Sequence, residues 1–263
     1  MFDTHCHLDA REFDADRDAV VAAAAASGMD RLLVPAVAVA NFAAVQACCE
    51  RYPACKPAYG IHPLKVDSAS EEDLETLSHC LHREAQGVHP PVAVGEIGLD
   101  FFAPNIDVER QEFYFREQLR IAAAADLPVV LHVRRAVDAV LGHLRRQRVR
   151  GGIAHAFNGS REQAEAYLRL GFCLGFGGAM TYPGSSRIRR LAASLPLEAI
   201  VLETDAPDMA PAWLAGASRG ARNTPDQLGK IAQVLADLRG ESVEKIVEAT
   251  TGNALRCLAM KLC

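Results

Sequence analysis

The first ten residues, MFDTHCHLDA (1–10), decide between the two folds that the rest of the chain allows. They read as a buried strand followed by Leu8-Asp9-Ala10-Arg11, which contains no glycine. Further along, short apolar runs alternate with segments of helical spacing, which predicts parallel strands joined by right-handed crossovers. An open doubly wound sheet that binds a dinucleotide would need a glycine-rich turn after its first strand. We therefore predict an α/β fold, a single (β/α)8 TIM barrel that covers residues 1–263.

The alternation supplies enough elements for a closed barrel, and the length of 263 residues is close to the roughly 250 that one barrel needs. The predicted strands are Phe2–His7, Arg31–Ala36, Pro57–Ile61, Val92–Ile97, Pro128–Val133, Gly152–Ala156, Phe172–Gly177 and Ala199–Thr204. The predicted helices are Asp14–Ser27, Asn41–Arg51, Glu71–Glu84, Glu109–Ala125, Ala136–Arg148, Arg161–Leu170, Ser186–Ser194, Pro225–Leu238 and Val243–Met260.

Composition and charge limit the cellular setting and the partners. The formal net charge is −5, so no global attraction draws the chain to nucleic acid and any phosphate binding must be local. The eight cysteines form no CxxC pair, and Met1-Phe2-Asp3 lacks the basic start of a signal peptide. We predict reduced thiols in the cytoplasm. The longest apolar run, Ala19–Ala26, is too short to span a bilayer, so we expect no membrane partner. We also expect the protein to be a monomer.

Potential metal ligands stand at the ends of several predicted strands. In His5-Cys6-His7 the two histidines share one face of a strand, whereas Cys6 points the other way into the core. In a barrel the carboxyl ends of all strands meet at one rim, where active sites of this fold lie. The residues predicted to converge there are His5, His7, Glu96, His132, His155 and Asp205. Each could have a structural role on its own, but together they form a ligand set.

Four histidines and two carboxylates exceed the needs of one ion, since a catalytic zinc takes about three protein ligands. Six ligands fit two divalent ions about 3.5–4 Å apart, bridged by a carboxylate. Imidazole with carboxylate suits zinc, manganese, nickel or iron better than calcium. Such ions activate a water, and Asp205 could accept its proton. The pattern predicts a metal-dependent hydrolase.

Three other residues have a functional and a structural interpretation of similar weight. Glu203 could orient a histidine ligand or form a buried salt bridge. His62 could contact a substrate phosphate or support the turn at Pro63. Arg134 could bind a phosphate bidentately or stand free on a loop. We expect the remaining histidines, His79, His82, His89 and His143, at the surface.

Seven motifs together resemble the TatD family of metal-dependent deoxyribonucleases. They are Asp3–His7, Gly60–Pro63, Gly95–Asp100, Leu131–His132, His155–Gly159, Glu203–Pro207 and Arg222–Pro225. The resemblance implies an amidohydrolase-like barrel that hydrolyses phosphodiester bonds in DNA, often from the 3′ end and with magnesium. It also implies that His5, His7 and Asp205 hold one ion, that His132 and His155 hold the other, and that Glu96 bridges them.

The sequence departs from the family pattern at Asn158, where a small hydroxyl residue is usual, so a substrate contact from this position is in doubt. The Ala- and Gly-rich segment 209–221 could be a mobile lid. Two other functions stay open at this point. The same barrel could cleave another bond, such as an aminoacyl-RNA ester, an amide or a lactone. It could also bind nucleic acid or a partner without catalysis, although the acidic balance argues against this.

Overall fold

The computed structural model describes residues 1–215, 221–258 and 260, and its eight strands form one parallel sheet in the order β1 to β8. Neighbouring strands pair in parallel from β1–β2 through β7–β8. The strands are β1 Phe2–Asp3, β2 Arg31–Pro35, β3 Cys55–Tyr59, β4 Ala93–Asp100, β5 Val129–Arg134, β6 Gly152–Ala154, β7 Phe172–Phe176 and β8 Ile200–Leu202. This arrangement confirms the predicted barrel.

The two terminal strands close the barrel through backbone contacts just beyond their regular parts. Thr4 N donates to Leu202 O at 3.1 Å, and Asp205 N donates to His5 O at 2.8 Å. The Asp3 carboxylate adds a side-chain link, because it accepts Thr204 N at 2.9 Å and also the Thr204 hydroxyl. These contacts hold the first and last ligand-bearing segments side by side.

The nine predicted helices occur in the predicted order, α3 and α7 with the predicted bounds, and a short helix that was not predicted, α8, lies between α7 and α9. They are α1 Arg17–Ala26, α2 Phe42–Arg51, α3 Glu71–Glu84, α4 Val108–Ala124, α5 Val137–Arg146, α6 Arg161–Arg169, α7 Ser186–Ser194, α8 Ala212–Ala215, α9 Leu228–Arg239 and α10 Val243–Cys257. Local sequence explains several starts; for α6, the Ser160 hydroxyl accepts Gln163 N while the Gln163 side chain accepts Ser160 N.

The lower half of the barrel is filled with apolar side chains from every strand, so it is a packed core and not a channel. The inward-facing layer consists of Phe2, Leu33, Ala58, Ala93, Val130, Ile153, Cys173 and Val201. Helix α10 seals the end where the strands begin, through Ala254, Leu255 and the residue after the helix, Leu258. The opposite end, where the strands finish, is not filled by this layer and can hold a site.

Strand β4 is longer than predicted. It continues beyond Ile97 to Asp100, pairing with β5 as far as Arg134, and its register shifts between Val94 and Ile97. The sequence suggested an end near Gly98, but this glycine passes so close to β5 that an added Cβ would overlap the His132 carbonyl oxygen. Its φ of 147° also favours glycine, so Gly98 continues the strand at a close approach.

Two predictions about side chains are wrong. Cys173 on β7 and Cys257 on α10 form a disulfide, whereas all the cysteines were expected to be reduced; Cys6, Cys48, Cys49, Cys55 and Cys80 are free and buried. His143 is not at the surface but 8% exposed on α5, with its ring against Phe115.

No helix in the described part of the chain is long and apolar enough to cross a membrane. The predicted cytoplasmic location and monomeric state stay predictions.

Candidate metal centre

Alternation along the strands carries several polar side chains from the packed layer to the open end of the barrel. Each lies two or four residues after an inward-facing apolar residue, so it shares that residue's face. By this rule His62 follows Ala58, His132 follows Val130, His155 follows Ile153, and Glu203 and Asp205 follow Val201. The mouth of the barrel is therefore lined with imidazoles and carboxylates.

Two ligands reach the mouth only because their strands are irregular. Glu96 lies three residues after inward-facing Ala93, and the register shift in β4 turns it into the barrel. His5 likewise lies three residues after Phe2, beyond the end of regular β1. Asp205, three residues after the end of β8, adopts a φ of 57°, a conformation that is uncommon for a residue with a side chain.

The first group of ligand atoms surrounds one point. His5 Nε2 lies 3.2 Å from His7 Nε2, 3.1 Å from Glu96 Oε2 and 3.6 Å from Asp205 Oδ1. His7 Nε2 lies 3.5 Å from Glu96 Oε2 and 3.8 Å from Asp205 Oδ1. Four atoms bound tetrahedrally to one ion at about 2.1 Å would be about 3.4 Å apart. These residues therefore fit a divalent cation, and nitrogen with carboxylate oxygen is a suitable donor set for one.

The second group gathers around the other oxygen of Glu96. Glu96 Oε1 lies 2.9 Å from His132 Nδ1, 3.5 Å from His155 Nε2 and 3.5 Å from His62 Nε2. The His62 ring is fixed because its Nδ1 accepts the backbone N–H of Leu64 at 3.1 Å. His62 thus faces the centre more directly than the sequence suggested. Glu96 contacts both groups, one oxygen to each, as a bridging carboxylate would.

The six residues predicted from the sequence therefore come together, although the division between two ions is less clean than the resemblance implied. The His155 ring stacks on the His5 ring with centroids 3.9 Å apart, and His5, His155 and Asp205 also offer three atoms within reach of one ion. In addition, His5 Nδ1 is buried without a hydrogen-bond partner. The metal-binding roles of the individual residues stay predictions.

Burial and mutual contact shift the protonation equilibria of the centre. Burial lowers the pKa of His5 to about 3, which favours the neutral imidazole that a metal requires. Burial opposes ionisation of Glu96, but His5, His62 and His132 outweigh it and hold its pKa well below the usual range. Burial raises the pKa of Asp205 to about 6. The Glu96 carboxylate is thus ionised, whereas Asp205 titrates nearer neutrality.

Glu203 lies behind the ligands and contacts His155. Its Oε1 accepts Ala156 N at 2.6 Å and lies 3.3 Å from His155 Nδ1, a close contact without hydrogen-bond geometry. Burial by itself lowers the pKa of His155, but Glu203 and Asp205 reverse this and raise it to about 10. An inward-facing glycine, Gly175 on β7, leaves the space that the Glu203 carboxylate fills. The contact with His155 fits both interpretations from the sequence, ligand orientation and a buried ion pair, so the role of Glu203 stays a prediction.

Asp100 is a site residue that the sequence analysis missed. Its Oδ2 lies 3.0 Å from His132 Nε2, and its Oδ1 accepts the backbone N–H groups of Phe102 and Ala103. Burial raises its pKa, but the contacts with His132 and these N–H groups outweigh that effect and lower it to about 2. The signal was present in Gly95–Asp100, but ending β4 at Ile97 removed Asp100 from the rim.

The remaining candidates lie around the mouth. Arg134 is exposed at the end of β5, with its guanidinium 3.9 Å from the centroid of the Phe102 ring. At Asn158, the departure from the family pattern, Oδ1 accepts two hydrogen bonds from the Arg187 guanidinium, at 2.7 Å and 3.1 Å. Of the segment 209–221, residues 216–220 lie outside the described residues, so its predicted role as a lid stays a prediction.

A cavity of about 710 Å³ lies at the opposite end of the barrel, where the strands begin. Arg31, Lys56 and Pro128 are part of its wall, as is Leu258, which follows α10. It contains none of the converging carboxylates and histidines, and active sites of this fold lie at the other end, where the strands finish. The chemistry therefore lies at the mouth, where ligand types and shifted pKa values coincide.

Comparison with known proteins assigns a family. The model of the family described as TatD related DNase matches residues 2–259. The uncharacterized metal-dependent hydrolase YjjV from Escherichia coli K12 is 42% identical over 96% of this chain and 95% of its own. Its crystal structure, described as that of a TatD homolog, superposes with a TM-score of 0.92 at 40% identity, covering 99% and 98% of the two chains.

A protein from Cronobacter sakazakii named 3′-5′ ssDNA/RNA exonuclease TatD is 33% identical over 97% of both chains. An uncharacterized amidohydrolase from Saccharomyces cerevisiae has a TM-score of 0.84 at 17% identity, covering 97% of this chain and 99% of its own, a likeness of fold alone. The family match and these identities cover nearly the full chain and agree with the ligand-lined mouth. The chain therefore belongs to the TatD family of metal-dependent hydrolases.

Proposed function

We propose that the protein is a nuclease that hydrolyses phosphodiester bonds of DNA at a two-metal site and removes nucleotides from a 3′ end. One observation carries the proposal: the two oxygens of Glu96 face two different groups of imidazoles, with His5 and His7 on one side and His132 and His155 on the other. Two metal ions held close together serve phosphodiester hydrolysis in nucleases and phosphatases, and a carboxylate between two histidine-rich groups can hold such a pair.

The protein's residues would divide the work between them. When bound, the divalent cations supply Lewis-acid polarisation of the scissile phosphate and a water that is acidic near neutral pH. Asp205 Oδ1 lies beside both His5 and His7, and its pKa of about 6 suits it to accept a proton from an attacking water. Glu96, which is ionised, would supply negative charge to both groups of imidazoles. Glu203 would fix the orientation of His155.

The depth of the centre favours a strand end over the middle of a duplex. The His5 and Glu96 side chains are 0% and 3% exposed, whereas those of His7 and His132 are 17% exposed. A scissile phosphate must therefore enter the barrel mouth to reach Glu96. A single-stranded terminus can do so, but a rigid double helix cannot. The 3′ direction and the ssDNA/RNA preference are taken from the name of the relative at 33% identity.

A substrate panel tests the proposal. Purified protein is incubated with 5′-labelled single-stranded DNA in the presence of magnesium, manganese or zinc, and products are resolved on sequencing gels. A ladder that shortens from the 3′ end is expected, and excess chelator should abolish it. His132→Ala and Asp205→Ala should each reduce the rate by at least 100-fold, because each removes a metal contact. His79→Ala, on the exposed face of α3, is the matched control and should keep full activity.

Full activity in excess chelator, or equal loss in the His79 control, would contradict the proposal. An aminoacyl-RNA ester and a lactone belong in the same panel, because the barrel fold hosts many hydrolytic reactions. Turnover of such a substrate without any cleavage of DNA would replace the nuclease by the alternative hydrolase. Binding of DNA without turnover under all the metals would indicate the non-catalytic barrel.

A further inference from the structure

A pair of arginines shares one phenylalanine ring at the mouth of the barrel. The Cζ atoms of Arg134 and Arg135 lie 3.9 Å and 4.4 Å from the centroid of the Phe102 ring. Among described residues, Phe102 is the one aromatic side chain in the group of exposed large hydrophobics, at 45% exposure. Cation–π contacts this close stabilise the two guanidinium groups in one place. An exposed ring is therefore used to present two positive charges.

Neither charge has an acidic partner. Within residues 1–215, 221–258 and 260, no carboxylate forms an ion pair with Arg134 or Arg135, although the chain has a net charge of −5. Other arginines, such as Arg17 and Arg222, do pair with aspartates. Two like charges held on one ring repel each other, and an anion between them would remove that repulsion.

The backbone fixes this cluster next to the metal centre. Arg134 lies two residues after His132 on β5, so both side chains share one face of the strand. On the neighbouring strand, Phe102 N donates to the Asp100 carboxylate, which itself contacts His132 Nε2. Phe101 N donates to Arg134 O at 2.8 Å and joins the two strand ends. The ring and the guanidinium groups thus stand one layer above the ligands.

Arg135 occupies its place through an unfavourable backbone conformation. Its φ is 54°, in the left-handed region, which is unfavourable for a residue with a side chain. The turn after β5 therefore brings consecutive arginines to the same ring, whereas a regular strand would send them to opposite faces.

We propose that Arg134, Phe102 and Arg135 form a phosphate clamp that binds the sugar–phosphate backbone of a single nucleic-acid strand beside the scissile bond. This inference rests on the proposed function, because it specifies how that same site selects its substrate. The guanidinium groups bind phosphate oxygens, and Phe102 is a positioning residue that holds both groups at the mouth. The clamp makes a strand of several nucleotides a better substrate than a small phosphodiester.

Binding measured without turnover tests the clamp. Fluorescence anisotropy of a labelled 12-nucleotide single strand in excess chelator gives the Kd at several salt concentrations. The double variant Arg134→Ala/Arg135→Ala should raise the Kd about 10-fold for each arginine removed. The slope of log Kd against log salt concentration should fall by about 1.4, because two phosphate contacts are lost. Phe102→Ala should raise the Kd by a smaller factor, and Phe102→Tyr should restore it, because a tyrosine ring keeps the platform. Arg116→Ala, whose guanidinium lies over Phe113 on α4, is the matched control.

A second readout separates the clamp from the chemistry. With metal present, hydrolysis of a small phosphodiester such as methyl p-nitrophenyl phosphate should stay within 2-fold of wild type in the clamp variants. The KM for the oligonucleotide should rise at least 10-fold, with kcat changed much less. A Kd and salt slope equal to wild type, no binding by wild type at low salt, or equal losses for the small diester would each overturn the clamp. Binding that depends on the arginines without DNA cleavage under any metal would overturn the nuclease proposal alone.

Discussion

Replacing Gly175 by alanine tests whether Glu203 is held rigidly behind the metal ligands. Gly175 faces inward on β7 and pairs with Val201, two residues before Glu203. A Cβ at this position would overlap Glu203 Oε2 and would lie 2.7 Å from its Cδ. The carboxylate is fully buried and accepts Ala156 N at 2.6 Å, so it cannot move aside as an exposed side chain would.

The expected loss of stability follows from two contributions. Inserting a methyl group into a packed interior costs about 1–3 kcal/mol. Displacing Glu203 also breaks its hydrogen bond to the backbone of Ala156, worth about 1.5–3 kcal/mol for a charged acceptor. Gly175→Ala should therefore lower the unfolding free energy by about 2.5–6 kcal/mol. For a protein of this size that corresponds to a fall of roughly 5–15 °C in Tm.

Urea unfolding followed by circular dichroism, with excess chelator present, measures this change in the absence of metal. Gly252→Ala in α10 is the matched control, because an added Cβ there meets nothing within 4 Å. This control should gain about 0.5–1 kcal/mol from the lower flexibility of the unfolded chain. In the double variant Gly175→Ala/Glu203→Asp, the shorter acid leaves room for the added methyl group. Its unfolding free energy should therefore be at least about 1 kcal/mol higher than the sum of the two single changes predicts. Stability of Gly175→Ala within about 0.5 kcal/mol of wild type, or strict additivity, would refute the reasoning.

Three further expectations concern capping, acidity and metal. Ser160→Ala should lower the unfolding free energy by about 1 kcal/mol, because Gln163 N at the start of α6 loses the side-chain oxygen that accepts its hydrogen bond. Ser160→Thr keeps a hydroxyl and should retain most of the wild-type stability in the same urea assay. Burial lowers the pKa of His143, so its neutral form stabilises the fold above the unfolded pKa of about 6.5, and acid removes that stability. His143→Leu should therefore weaken the fall in unfolding free energy between pH 7 and pH 5, and an unchanged profile would contradict this. Saturating zinc or manganese should raise Tm by about 5–10 °C, a shift that His7→Ala should largely abolish in differential scanning fluorimetry.

The fold was predictable because hydrophobic periodicity survives in nearly every element. Strand β5 and helix α3 stand out in the sequence, since each has an apolar run or an amphipathic face bounded by proline or by a cap. The meeting of the strand ends that carry the six predicted ligands follows from the same pattern, although the inward direction of His5 and Glu96 does not. Parallel strands of a barrel place their carboxyl ends together whatever the sequence between them.

What the sequence did not predict depends on contacts between distant segments. Ending β4 at Ile97 was reasonable, because only the close passage of Gly98 against β5 shows that the strand continues to Asp100. Cys173 and Cys257 are 84 residues apart and lie in no cysteine motif, so their proximity arises only when α10 closes the barrel. The pairing of Phe102 with Arg134 likewise needs two strand ends side by side.

The candidate centre is built from departures from regular strand structure, and the packed layer below it makes those departures tolerable. Regular alternation alone would point Glu96 outward, since it lies three residues after Ala93, yet the bulge in β4 brings it to the axis. Asp205 and Ala156 adopt positive φ values just beyond their strands, which costs free energy at each position. The inward apolar layer sealed by α10 stabilises the barrel independently of these residues. Ligand geometry at the mouth can therefore be strained without loss of the fold, because the residues that hold the barrel together are not those that would hold the metal.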